Sequence, residues 1–355
     1  LEMNDPARTD SDSVAHDSLF APPRPPCAQD PGRNLRPSFS CQATNSSLDA
    51  PFRPRLNIGT GRLLRERFGE DVALPALSTP AISYGHINGL GCELRFPEGG
   101  EVAPLPCYSS LEEGLDRLKE SVDFAKQGLA PFYLRFKQEM EKAFPEETVH
   151  FSYGLEGPVT TGYLLRGQDF LTDLMDRPQK SAEFLESVTR SILDFHAFRC
   201  SLRGSPTRNA TGAGLCDDCA SMVPPRLWDS LVFPHWSAYY QGMTTGKRSA
   251  HVEDLRPAQL PLLEKAGLWQ YDPSISPQLT PEIIRDRCRI PFAWRLGSFH
   301  YRDMSPDDVQ EFVFRAKAAQ ASRVFTIVAG PLCQPDAVRK VLAFIEACKE
   351  AADIQ

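Results

Sequence analysis

The sequence predicts an α/β protein, a (β/α)8 TIM barrel behind a Pro/Ser-rich N-terminal extension, and three observations predict it. From residue 148 onward, short strand-like runs alternate with helical stretches six times, the pattern of a parallel sheet covered by helices. Two more strand-helix pairs fit between residues 56 and 147, and eight pairs in ~300 residues suit a closed barrel better than an open sheet. The third observation is a break near residue 55. Residues 1–55 are rich in Pro, Ser, Asp and Asn and poor in aliphatics. They cannot bury enough apolar surface to offset their ordering entropy, so a disordered or loosely draped tail is expected, with the barrel over 56–355. Leu1-Glu2 ahead of Met3 reads as a cloning remnant.

The elements follow in order. "SSLEEGLDRLKESVDFAKQG" opens with Ser110 and Glu113 at capping-box spacing and carries Leu111, Leu115, Leu118 and Val122 at helical intervals, with Gly128 as its stop. "TVHFSYGLEGP" alternates Val149, Phe151 and Tyr153 and runs into glycine: a strand, then a loop. Helix is expected from about Phe170 to Arg199. "GAGLCDDCA" is a short strand ending in acids, and "RLWDSLVFPHWSAYYQGM" is helix. "KRSAHVED" is strand, "QLPLLEKAG" a helix closed by Gly267, and "LWQYDPS" strand again. "TPEIIRDRC" is helix and "RIPFAWRLG" strand. "SPDDVQEFVFRAKAAQA" has Ser305 as N-cap and Pro306 at the first helical position. "SRVFTIVAG" is the last strand and "PDAVRKVLAFIEACKEAA" the closing helix.

Composition excludes some functions. A formal charge of −7 gives no broad basic surface, so nucleic acid is not expected as the partner. No run approaches the ~18 apolar residues of a membrane span. Ten cysteines in 355 residues are too sparse for a disulfide scaffold and read as thiols of a cytoplasmic protein.

In a barrel, the C-terminal ends of the strands line the site. The residues there are Tyr153 and Glu156; Cys216, Asp217, Asp218 and Cys219; His251, Glu253 and Asp254; Tyr271 and Asp272; Trp294, Arg295 and His300; and Cys333. Three metal readings stand side by side. His251 and Glu253 fall on one face of an extended chain, and with Cys333 they make three zinc donors with a fourth position open. Cys216 and Cys219 form a C-x-x-C without a second such pair. In the third reading no metal is held and His251 is a hydrogen-bonded structural residue. Asp217 and Asp218 are candidates for acid–base work or for orienting His251, with hydrogen bonding to loop amides as the plainer role. Tyr153, Glu156, Trp269, Tyr271, Trp294 and Arg295 are the expected substrate wall, though aromatics at strand positions are also ordinary core.

At these residues the chain resembles the uroporphyrinogen decarboxylase superfamily. The likeness lies in "HFSYGLEGPVTTGYLLRGQDFLTDLMDRPQ", "GLCDDCASMVPPRLWDSLVFPHWSAYY", "SAHVED" and "RIPFAWRLGSFHYRDMSPDDVQEFVFRA", in that order over about residues 80–350. The resemblance implies a (β/α)8 barrel. The decarboxylase branch carries Arg-Gln-x-Gly-Arg and an early-strand Asp; "PRLNIGTGRLLRERFG" lacks the motif, and Ser83 and Tyr84 stand near the place of the Asp. The zinc-dependent, corrinoid-linked methyltransferase branch binds zinc through His-x-Cys on one strand and Cys on the last. His251 and Cys333 match, and Glu253 replaces the middle Cys. The resemblance therefore implies methyl transfer between an ether, amine or thiol substrate and a corrinoid or other acceptor, with zinc on His251, Glu253 and Cys333. A corrinoid (cobalamin) protein is the expected partner, and the chain is expected as a monomer or homodimer. The rival expectations are a metal-free lyase using Asp218, His300 and Arg295 on a carboxylated substrate, and a non-catalytic binding barrel.

Overall fold

The computed structural model describes residues 39–40, 63–74, 76–97, 101–328 and 330–353. Its strands, in chain order, are β1 Phe39–Ser40, β2 Leu94–Arg95, β3 Ala103–Pro104, β4 Gly212–Cys216, β5 Lys247–His251, β6 Gln270–Asp272, β7 Ala293–Leu296 and β8 Arg323–Ile327. Two three-stranded parallel sheets, β4-β5-β6 and β1-β8-β7, are joined by a parallel bridge between Tyr271 and Phe292. On the other side, the Gly157 N–H donates to the Cys216 carbonyl at 2.5 Å. That chain segment carries parallel bridges from His150 to Ser78 and from Tyr153 to Ile82. The parallel order therefore runs 78–82, 150–157, β4, β5, β6, β7, β8, β1. Among the described residues no pairing joins its two ends.

Three expectations change here. "TVHFSYGLEGP" pairs by single bridges rather than as a regular strand, with hydrogen bonds to the 78–82 lane at His150, Ser152 and Gly154 and to β4 at Gly157. Between 56 and 147 the described residues hold one parallel lane at 78–82 and then an antiparallel hairpin, β2 with β3, where a second strand-helix pair was expected. Phe39–Ser40, inside the expected tail, pairs with β8. The rest of residues 1–55 lies outside the described residues.

Local signals place the helices. Five of the described α-helices have proline as their first residue: Pro158–Arg166, Pro178–Arg203, Pro281–Arg287, Pro306–Ala318 and Pro335–Asp353. There its fixed φ and missing N–H cost nothing. Ser305 and Asp308 form a reciprocal capping box. Ser110 accepts from the Glu113 N–H, while the Glu113 carboxylate reaches Ser109 instead. That helix stops at Arg117, and Gly128 turns the chain into the next one, Ala130–Ala143.

The core lies between the sheet and the helices. Phe184, Leu185, Val188, Ile192 and Phe195 bury one stripe of the long helix Pro178–Arg203. Helix Phe233–Met243 pins the strands through hydroxyls: Tyr239 donates to the Gly214 carbonyl and Tyr240 to that of Ser249. No described helix is long and apolar enough to cross a membrane.

Candidate active site

Strand register brings the site together. Cys216 on β4 is opposite His251 on β5, and His251 is opposite Asp272 on β6. Residues paired in parallel strands share a face, so the last residues of three strands stand in one row. His251 is fully buried, and its Nδ1 lies 3.1 Å from Asp272 Oδ2. On the other side, Nε2 lies 3.5 Å from Glu253 Oε1 and 3.8 Å from Asp218 Oδ1. The Glu253 N–H donates to the same Asp218 oxygen at 2.9 Å. Side-chain exposure rises across the group, from 0% at His251 and 9% at Asp272 to 31% at Asp218 and 38% at Glu253. The imidazole is fully enclosed, and the two acids on its Nε2 side are partly exposed.

The electrostatics follow from that layout. Burial by itself would lower the His251 pKa, but Asp272, Glu253 and Asp218 together hold it well above the usual value. Burial pushes Asp218 up to about 7, helped by Glu253 and Asp217 and opposed by His251. Asp272 stays below the ordinary carboxylate range despite its burial, held there by His251, the Ser274 N–H and the Arg295 charge. Arg295 is itself buried on β7, with Nη1 3.5 Å from Ser274 Oγ. Asp272 orients His251, a role the sequence suggested for Asp217 or Asp218.

Asp217 does different work. Its carboxylate accepts from the Thr160 N–H at 2.6 Å, the Val159 N–H at 3.3 Å and Trp236 Nε1 at 2.6 Å. Two of those donors are the first amides of helix Pro158–Arg166, which have no partner inside the helix. The oxygens hold a helix end, which is the plainer of the two roles the sequence offered for Asp217. Burial lifts its pKa to about 6 against these donors.

The expected aromatic wall is also elsewhere. Tyr153 is core, packed on Tyr133 at 4.6 Å between ring centres and donating its hydroxyl to Asn88. The Tyr271 hydroxyl donates to the Val252 carbonyl in the interior. Trp294 stacks on Phe312 of helix Pro306–Ala318. Trp269 precedes β6 at the opposite end of the sheet, half exposed under Lys247 Nζ at 3.9 Å. His300 opens a short helix after β7 with its ring against Phe299. Glu156 is buried near Tyr84 and Cys219, and both groups feel its charge. Tyr84 also feels Asp218, which places it beside the site, and its phenol is pushed up first by burial. Its signal in the sequence was position alone, at the end of the lane where the resembling family has Asp.

Two of the three named zinc donors meet. The 3.5 Å between His251 Nε2 and Glu253 Oε1 is near the ~3.4 Å separating two ligands of one tetrahedral zinc. Cys333 is buried on the turn Gly330–Cys333 after β8, and the charge acting on its thiol is that of Arg67. Among the described residues, no group of three or more His, Cys, Asp or Glu side chains is arranged to hold a metal ion, which covers the Cys216/Cys219 pair as well. The described residues therefore bring His251 and Glu253 together without assembling a metal site.

No protein family matches the chain, and no curated protein does. A solved structure does: a methyltransferase from Methanosarcina mazei, with a TM-score of 0.61 over 89% of this chain and 94% of that one, at 15% identity. The chain has the fold of a methyltransferase. At that identity the likeness speaks for architecture, an α/β fold with parallel strands.

Proposed function

We propose that the chain is a methyl-transfer enzyme built on a closed (β/α)8 barrel, working at His251, Asp272, Asp218 and Glu253. The observation that carries this reading is the His251–Asp272 pair at adjacent strand ends, with Nε2 turned toward two partly exposed acids. The parallel order supports the barrel, since eight lanes lie side by side in the sequence a barrel requires. Closure would pair the 78–82 lane with β1.

Demethylation of an amine, ether or thiol breaks a carbon–heteroatom bond and leaves a basic heteroatom that must take a proton. Asp218, raised to about 7, is matched to that task near neutral pH. Asp272 holds Nδ1, and the three acids that keep the His251 pKa well above its usual value leave the ring protonated near neutral pH, so Nε2–H is turned toward Glu253 and Asp218. The lyase alternative is weaker, because the Arg295 it needs for a substrate carboxylate serves Asp272 instead. The finer form of the proposal adds zinc on His251 and Glu253, completed by Cys333, and a corrinoid protein as methyl acceptor. It requires Cys333 to join the other two.

The test supplies cob(I)alamin and a panel of methylated amines, ethers and thiols, and follows methylcobalamin by absorbance. Turnover with one substrate class, lost in His251→Ala, supports the proposal. A panel without turnover, on protein saturated with zinc, would overturn it. About one zinc per chain in wild type and none in His251→Ala would establish the finer form.

A further inference from the structure

We propose that Cys92 and Cys107 are a redox site that closes to a disulfide and staples the β2/β3 hairpin at its base. Their sulfurs lie 3.2 Å apart, with the Cys92 S–H donating to Cys107 Sγ. The two residues flank the hairpin, in which Leu94 pairs with Pro104 and Arg95 with Ala103. The Leu105 N–H to Glu93 carbonyl bond, at 2.8 Å, extends that pairing toward the cysteines.

Both backbones are already held in place. The Cys92 N–H donates to the Ile87 carbonyl, and Asn88 Nδ2 donates to the Cys92 carbonyl. The Cys107 N–H donates to the Leu165 carbonyl. A disulfide needs the sulfurs about 2.05 Å apart, so side-chain rotation has roughly 1.1 Å to close. Access is asymmetric, since Cys92 is buried and Cys107 is half-buried. The Cys107 thiol is also the more acidic one, because the Cys92 S–H stabilises its thiolate and Arg117 adds positive charge. The reachable sulfur is therefore the better nucleophile, and the buried one is placed to resolve.

The oxidant class is a low-molecular-weight disulfide. The Cys107 thiolate attacks one sulfur of R–S–S–R, forming a mixed disulfide and releasing one thiolate. The Cys92 sulfur, losing its proton, then attacks Cys107 Sγ and expels the second. Two protein thiols are oxidised and one small disulfide becomes two thiols.

The experiment treats the full-length protein with oxidised glutathione and maps its peptides by mass spectrometry before and after reduction. The expected result is one new peptide joining Cys92 to Cys107, reversed by dithiothreitol. A rise in Tm of roughly 5 °C, absent in Cys107→Ser, should accompany it, since the bond closes a short loop of the unfolded chain. Cys92→Ser removes a buried thiol, so Cys107→Ser carries the comparison. Glutathione remaining on Cys107 without the internal bond would overturn the proposal, as would links to other cysteines in its place.

Discussion

Gly157→Ala tests how the site is held. Gly157 has φ −70° and ψ 171°, a conformation alanine adopts without strain. Any penalty must therefore come from contact. A Cβ there would lie 2.5 Å from Asp217 Cβ, 2.6 Å from Asp217 Cγ and 2.7 Å from the Cys216 carbonyl oxygen. Carbon–carbon contacts normally sit at about 3.5–4.0 Å, so the shortfall is roughly 1 Å. Asp217 has little room to give, because its carboxylate is held by two helix amides and the Trp236 ring. Overpacking of this kind costs about 1–3 kcal/mol, and a displaced charge-assisted hydrogen bond adds about 1.5–3 kcal/mol. A loss of about 3 kcal/mol lowers Tm by roughly 5 °C in a domain of ~300 residues, at ~2.1 cal/mol/K of unfolding entropy per residue. The control is Gly204→Ala. Gly204 has φ +60° and nothing within 4 Å of an added Cβ, so only backbone strain of about 1 kcal/mol applies. Thermal and urea unfolding of both variants beside wild type make the assay. If Gly157→Ala melted as high as Gly204→Ala, the close approach of the 150–157 lane to Asp217 would be refuted.

Further outcomes follow from the same geometry. His86 is fully buried against Ser191 Oγ at 2.9 Å, and burial holds its pKa down at about 3, below the unfolded value near 6.5. Its stabilising effect is complete above pH 6.5 and is lost as pH falls toward 3. Between pH 6.5 and 5 that is about 2 kcal/mol; a His86→Gln variant should lose this part of the pH dependence in urea midpoints, and unchanged slopes would count against it. Asp272→Asn should cut methyl transfer roughly 10–100-fold by releasing the imidazole, with unfolding changed far less; unaltered turnover would remove Asp272 from the site. Trp269→Ala should leave turnover within about twofold, because the ring lies at the other end of the sheet, and a large loss in kcat/KM would move the site.

Much of the architecture is written in local sequence. The proline-first helices, the Ser305 capping box and the Thr280 cap all depend on residues within a few positions of one another. Acids and a histidine at strand ends were legible too, because alternation of strand and helix locates those ends. What each of them does was not legible. Asp217 and Asp218 are adjacent and chemically alike, yet one is claimed by helix amides and the other faces His251. Asp272 became the partner of His251 only through the β5–β6 register. Cys92 and Cys107 met only because a hairpin formed between them. Local sequence determined the elements and the residues available at their ends. Tertiary structure decided the partners, because strand register and helix docking are set by contacts among residues far apart in the chain.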